Sequence, residues 1–257
     1  LIDIHCHILP ELDDGAKNIN EAIEMAAVAV SEGIHTIIAT PHHNNGAYYN
    51  PALQIRSSVA KMNDLLEYNN IDLKILPGQE IRIYGEILED FGRNELLTLN
   101  DNSKYFLLEL PYDHIPRYTS KLIYEAQLKG YLPIIVHPER NHEFYERPDL
   151  LYHFVKNGAL TQITAGSITG QFGYKVKKFT EEIIKADLTH FLASDAHNLK
   201  TRSFHMQLAL EVVERKTGAY YRELWQENAM LLLAGEHPYL EQPKKITRTH
   251  LFSFLRG

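Results

Sequence analysis

Short β-branched and aliphatic runs alternate with longer stretches of 3.6-residue periodicity along most of the chain, the pattern of parallel β/α units. The opening run, Leu1-Ile2-Asp3-Ile4, predicts a strand, and a polar loop, Asp13-Asp14-Gly15, follows it. A helix is expected from about Asn18, with Ala22, Ile23, Ala26, Ala27 and Val30 on one face and Gly33 closing it. Further strands are predicted over 34–40, 73–76, 105–108, 132–136, 160–163 and 189–193. Helices are expected over 52–68, 120–129, 201–217 and 220–233, while Pro41-His42-His43 and Pro77-Gly78-Gln79-Glu80 read as loops. The pattern amounts to about seven strand–helix repeats.

A chain of 257 residues buries a full core, and such a length suits a single α/β barrel as well as two domains. We expect one domain over 1–235 and a basic tail over 236–257, with Leu251, Phe252, Phe254 and Leu255 interleaved. The tail reads either as a loosely ordered terminus or as a contact for a partner or an acidic membrane surface. No apolar run is long enough to span a membrane, and no segment has the pattern of a secretory signal. A net charge of -7 argues against a nucleic-acid surface. One cysteine excludes an internal disulfide framework and fits a reducing, cytoplasmic compartment.

The candidate chemistry lies at the ends of the predicted strands. Alternation along the first strand points His5 and His7 one way and Cys6 the other. His42 with His43, Glu80, Glu109, His137, and Asp195 with His197 also sit at or just after strand C-terminal ends. In a parallel barrel those ends share one face, so residues distant in sequence converge there. Imidazoles and carboxylates without thiolate suit Zn, Mn or Fe, with donors enough for more than one ion. Arg117, Arg140 and Arg202 follow strands by several residues and are candidates for phosphate binding, with Arg82 ranked below them. Cys6 lacks the arginine six residues later that a cysteine-based phosphatase loop needs, since Leu12 stands there, and it reads as a packing residue.

Five segments, His5-Cys6-His7, Thr40-Pro41-His42-His43, Pro77-Gly78-Gln79-Glu80-Ile81, His137-Pro138-Glu139-Arg140 and Ser194-Asp195-Ala196-His197, resemble the motifs of the polymerase and histidinol phosphatase (PHP) superfamily. The likeness is strongest to its bacterial manganese-dependent protein-tyrosine phosphatases of capsule and exopolysaccharide production, and Asp13-Asp14-Gly15 and Glu109-Leu110-Pro111 also fit that branch. The resemblance implies a distorted seven-stranded (β/α)7 TIM-like barrel with a three-metal cluster. It puts His5, His7, Glu80 and Asp195 on one metal, Glu80, Glu109 and His137 on a second, and Asp14, His42 and His197 on the third. Where some members of the superfamily have histidines, Asp14 and Glu109 make the cluster richer in oxygen, which shifts the expectation from Zn towards Mn, with Fe, Zn or Mg in part. His43 is expected beside the ligands or facing substrate, with a role in proton donation.

The implied activity is phosphotyrosine hydrolysis by metal-activated water, on a phosphotyrosine protein such as a bacterial tyrosine kinase. A homo-oligomer is compatible with the resemblance. A phenol leaves more readily than a serine alkoxide, so a strong general acid is less necessary. Three rivals remain at this level: a small-molecule phosphatase of the histidinol-phosphate type, a nuclease-like relative, and a non-catalytic phosphotyrosine-binding regulator. An amidohydrolase is disfavoured because Glu109 stands where that class places a bridging lysine.

Overall fold

The computed structural model describes residues 1–247, so the apolar residues of the extreme tail, Leu251, Phe252, Phe254 and Leu255, lie outside the described residues. The strands are β1 (Ile2–Cys6), β2 (Thr36–Ala39), β3 (His42–His43), β4 (Lys74–Pro77), β5 (Glu80–Arg82), β6 (Tyr105–Glu109), β7 (Leu132–Val136), β8 (Leu160–Thr164) and β9 (Phe191–Ala193). The α-helices are α1 (Ile19–Ser31), α2 (Ala52–Tyr68), α3 (Ile87–Gly92), α4 (Thr119–Leu128) and α5 (His142–Glu146), then α6 (Pro148–Lys156), α7 (Ala165–Thr169), α8 (Tyr174–Lys185), α9 (Met206–Thr217) and α10 (Tyr220–Ala234). No helix among the described residues is long and apolar enough to cross a membrane.

All strand pairs are parallel, in a three-stranded sheet β1-β2-β4 and a six-stranded sheet β3-β5-β6-β7-β8-β9. The α/β class is therefore as expected, but nine strands in two sheets replace the seven of one closed barrel. The difference arises at two interruptions. Thr40-Pro41 separates β2 from β3, and Gly78-Gln79 separates β4 from β5. Pro41 has no N–H to give a ladder, so the pairing breaks there and resumes at His42↔Glu80. Segments that read as loops thus become the short strands β3 and β5. At the other edge, β1 meets the chain after β9 through an isolated Cys6↔Ala196 bridge, with His7 N donating to Ala196 O at 2.9 Å and Asp195 N to His5 O at 2.8 Å.

Alternation on the strands divides the apolar side chains between two clusters. Tyr105, Leu107, Ile134, Val136, Phe191 and Ala193 join Ile4, Ile38 and residues Ala229 and Leu232 of α10. Their neighbours Phe106, Leu108, Ile135 and Leu192 face the helices instead. Burial on both faces explains why these strands read as almost continuous apolar runs. Strand β1 has a register irregularity between Asp3 and Cys6, and Cys6 packs in the helix-facing cluster, on the side away from His5 and His7 that its sequence position suggested.

Strand β7 and helix α2 fall where the periodicity put them. Helix α1 is rotated from expectation: it buries Ala22, Met25, Ala26 and Ala29, and Ala27 is exposed. Helix α9 begins at Met206 instead of residue 201, because His205 adopts a left-handed conformation (φ 53°) and the chain before it stays irregular. The short helices α5 to α8, punctuated by Pro148, Gly170 and Gly173, were not legible as periodic stretches. Beyond α10 the chain turns back over the helices: Lys244 N donates to Ala186 O at 2.8 Å, and Lys244 Nζ lies 2.6 Å from Asp187.

Gly78 lets the interruption between β4 and β5 close on its neighbours. A Cβ there would lie 2.7 Å from Ile38 Cγ2 and 3.0 Å from Leu99 Cδ2. Gly78→Ala should lower the unfolding free energy by about 1–3 kcal/mol through overpacking, read as a lower denaturant midpoint with unchanged slope. An unshifted midpoint would show that this part of the core is loosely packed.

Candidate metal centre

Because the strands are parallel, their C-terminal ends bring the expected side chains to one edge of the molecule. The Nε2 atoms of His5, in β1, and His7, just after it, stand 3.2 Å apart. Glu80 Oε2, from β5, lies 3.5 and 3.4 Å from those two nitrogens. Asp195 Oδ1, just after β9, lies at the same 3.5 and 3.4 Å. Four donors held about 2.1 Å from one ion in tetrahedral geometry are about 3.4 Å from each other. The imidazole–carboxylate distances match that spacing, and His5, His7 and Glu80 each bring a ligand atom within 4.8 Å of the others.

Two more donor groups share members with this one. His7, Asp14, His42 and His197 each bring a ligand atom within 4.8 Å of the others, and so do His42, Glu80 and Glu109. His42 lies between them, with Nδ1 2.7 Å from Glu80 Oε2 and Nε2 3.4 Å from Asp14 Oδ1. His137 Nε2 lies 2.9 Å from Glu80 Oε1, the oxygen of that carboxylate not in contact with His5 and His7. All nine residues expected as ligands therefore meet at this edge, but His42 stands closer to Glu109 than a position on the third group alone would suggest.

Several of these atoms make no hydrogen bond within the protein although they are buried: Glu80 Oε2, Glu109 Oε2, Asp195 Oδ1, His42 Nδ1 and His197 Nε2. The 2.7 Å approach of His42 to Glu80 is a close contact without hydrogen-bond orientation. Buried polar atoms are rarely left in this state, and five of those unpaired among the described residues belong to the donor groups. Divalent cations held among these groups would satisfy them.

The atoms turned away from the cluster are anchored. His5 Nδ1 meets Gln162 Oε1 at 2.9 Å, His7 Nδ1 meets Asp13 Oδ2 at 2.6 Å, and His197 Nδ1 meets Asp195 O at 3.0 Å. Such bonds fix the ring and present Nε2, the arrangement of metal-bound histidines. Asp13 and Gln162 were missed as contributors; Asp13 was visible in the Asp13-Asp14-Gly15 loop, but nothing near Gln162 in sequence marks it. Asp13 also accepts from His42 N at 2.9 Å. Gly15 is required there, since a Cβ would lie 2.0 Å from His7 O.

Arginines hold the other ends of the carboxylates. Asp195 Oδ2 receives Arg140 Nη2 at 2.7 Å and Arg202 Nη2 at 2.8 Å. Glu109 Oε1 receives Arg82 Nη2 at 2.9 Å. Burial opposes the charge of Asp195, yet Arg140 and Arg202 hold its carboxyl well below the usual range. Burial and the Glu80 charge instead push Glu109 up to about 7. Burial, helped by Arg140, lowers His137 to about 3, and burial with His7 lowers His197 to about 4, which leaves both imidazoles neutral at physiological pH. His137 and Asp195 also have left-handed backbones (φ 36° and 51°), local strain of the kind found where side chains must be aimed.

Two expected residues fall elsewhere. His43 turns its ring away from the cluster, because β3 alternates: His42 pairs with Glu80 and faces the donors, while His43 pairs with Ile81. Its Nδ1 meets Asn50 O at 2.8 Å in a buried position, and the residue does not line the cavity. Arg117 is exposed and does not line the cavity, since the exposed stretch 112–114 carries the chain outward before α4. Arg82, ranked lower from sequence, takes a place in the site. Cys6 is buried with its Sγ 3.6 Å from Ala196 O, and burial with the nearby Asp3 charge pushes its thiol well above the ordinary range.

A cavity of about 310 Å³ opens over the cluster, lined at one side by His42, Glu109, His137, Arg140 and Arg202 and elsewhere by Leu110, Pro111, Tyr112 and Phe172. It offers a volume for a small phosphorylated group beside donors and guanidinium groups.

Comparison with known proteins finds similarity over nearly the full chain. The family described as capsular polysaccharide synthesis, CpsB/CapC, matches residues 1–234. The tyrosine-protein phosphatase YwqE of Bacillus subtilis (strain 168) is 52% identical over 254 residues, covering 99% of this chain and 100% of that protein. The tyrosine-protein phosphatase CpsB of Streptococcus pneumoniae is 31% identical over 242 residues, covering 92% of this chain and 99% of that protein. A solved structure from work on YwqE and CpsB, described there as unique metal-dependent tyrosine phosphatases, superposes with a TM-score of 0.94 at 52% identity, covering 96% of this chain and 100% of that one. The chain belongs to the CpsB/CapC family of capsular polysaccharide synthesis.

Proposed function

We propose that this chain is a metal-dependent protein-tyrosine phosphatase that hydrolyses phosphotyrosine on a protein of capsule or exopolysaccharide synthesis, with a bacterial tyrosine kinase as the expected partner. The observation that carries the reading is the set of buried, unpaired donor atoms at ligand spacing, in a chain 52% identical to a tyrosine-protein phosphatase over its length. Its single buried thiol fits a reducing, cytoplasmic setting. The barrel reading is supported by the strand courses: with each interrupted pair counted as one course, they number about seven.

His5, His7, Glu80 and Asp195 would hold one ion, Glu80 and Glu109 with His137 a second, and Asp14, His42 and His197 a third, His42 reaching towards the second as well. The donor set of carboxylate and imidazole without thiolate favours manganese. When bound, the ions supply a nucleophile from water at neutral pH and neutralise charge on the phosphoryl oxygens. The chain's own residues do the rest. Asp13 and Gln162 keep the His7 and His5 rings aimed. Arg140 and Arg202 balance Asp195 while their guanidinium groups face the cavity, where they can take phosphate oxygens. The relatively acidic phenol of tyrosine leaves without a strong general acid, consistent with His43 lying outside the cavity.

Purified protein should contain manganese and release phosphate from phosphotyrosyl peptides much faster than from phosphoseryl ones. Chelation should abolish turnover, and added Mn should restore it; full activity in the metal-free protein would refute the metal-dependent reading. His7→Ala should lose both bound metal and at least about a hundredfold in kcat/KM, the scale on which transition-state contacts are counted. Cys6→Ser should keep most activity at normal metal content. A folded, metal-loaded but inactive Cys6→Ser enzyme would point to thiol chemistry instead.

A further inference from the structure

The cavity above the cluster has two chemical characters, and only its charged side is accounted for by phosphate. Phe172 lines the other side and is half-buried. Its ring lies over the guanidinium of Arg140, with Cζ 5.0 Å from the ring centroid. It also rests on Gly166, where an added Cβ would come within 3.1 Å of Phe172 Cε2. Gly170 and Gly173, at φ 96° and 87°, let the chain turn sharply on both sides and bring the ring over the cavity. Gln171 donates to Thr201 O, which ties this turn to the loop carrying Arg202. The ring is therefore held in place by neighbours that do not belong to the metal cluster.

A second aromatic residue, Tyr112, lines the same cavity and leaves most of its side chain exposed (74%). Its loop is fixed, because Asn141 donates to Pro111 O at 2.7 Å and His142 N donates to Tyr112 O at 2.8 Å. An exposed aromatic on a fixed loop beside a phosphate-sized site is suited to contact a flat, apolar ligand group.

We propose that Phe172, assisted by Tyr112, is the specificity-determining surface for the aryl ring of the substrate, so that the cavity selects aryl over alkyl phosphate esters. This rests on the phosphatase reading above and assigns the part of that site that recognises the ring. With phosphate at Arg140 and Arg202, the phenyl ring of a phosphotyrosyl group meets the Phe172 ring, whereas a phosphoseryl methylene is too short to reach it. Phe172 also touches Arg140, so its contribution to ring binding must be separated from any effect on phosphate binding.

The test uses the metal-loaded enzyme with a phosphotyrosyl peptide, the matched phosphoseryl peptide and inorganic phosphate as inhibitor. Aromatic pairs contribute enough to make Phe172→Ala raise KM for the phosphotyrosyl peptide by about two- to tenfold. The inhibition constant for inorganic phosphate should stay within about twofold of wild type, and kcat should change less than KM. Phe172→Leu, which conserves apolar volume, should fold normally and show the same loss of preference for aryl esters. An unchanged KM in both variants would overturn the proposal. So would a phosphate inhibition constant that rises in step with KM, since Phe172 would then serve only to hold Arg140. If the wild-type enzyme itself fails to hydrolyse the phosphotyrosyl peptide, the phosphatase reading fails, independently of the role of Phe172.

Discussion

The structure turns on one buried carboxylate. Glu80 is fully buried, and its Oε2 lies within 3.5 Å of imidazole nitrogens from His5, His7 and His42, while Oε1 meets His137. Placing an ionised group in such a site costs on the order of several kcal/mol unless a counter-charge is fixed beside it. The imidazoles hold the Glu80 carboxyl well below its usual range, against the burial that opposes its charge. In the protein alone that balance requires protons: His42 is pushed up to about 11 and His7 to about 9, in each case despite burial, by Glu80 and Asp14 at the first and Asp13 at the second. Divalent cations held there would do the same work with higher charge and leave each ring neutral.

The rest of the fold serves to bring those groups together and keep them aimed. Asp3 shows how this is done below the cluster. Its carboxylate accepts Ser194 Oγ at 2.5 Å and Ser194 N at 2.9 Å, so β1 and the turn that carries Asp195 are fixed to each other. The interruptions at Thr40-Pro41 and Gly78-Gln79 have a similar effect, since each offsets a short strand that presents one donor, His42 or Glu80, to the shared edge. Asp195 and Glu109 have one oxygen for the cluster and one for arginine, and at Asp195 the two arginines keep the carboxylate charged while staying near the cavity. The same guanidinium that balances Asp195 is covered by Phe172, so the charged and apolar sides of the cavity meet at Arg140.

The chain alone determined a good deal. Alternating apolar runs and helical stretches specified a parallel α/β architecture, because strands buried on both faces must be rich in Ile, Leu and Val. Parallel strands put their C-terminal ends on one edge, and so histidines and carboxylates at those positions had to converge. Strand alternation likewise assigned His5 and His7 to the cluster and Cys6 to the core. These conclusions follow from periods of 2 and 3.6 residues, which are local properties of the chain.

Only the tertiary structure decided where neighbours turn and found the distant partners. The sequence already favoured His42 over His43 as ligand, but where His43 turns depends on the register of β3 against Glu80 and Ile81, which pairing sets. Arg117 and Arg82 exchanged importance because the direction of a loop outside a strand has no period to reveal it. Gln162 reaches His5 across 157 positions, and Phe172 covers Arg140 through a turn formed by two glycines. Local patterning fixed which side chains come to the metal edge; their orientation and support are collective properties that only the folded chain defines.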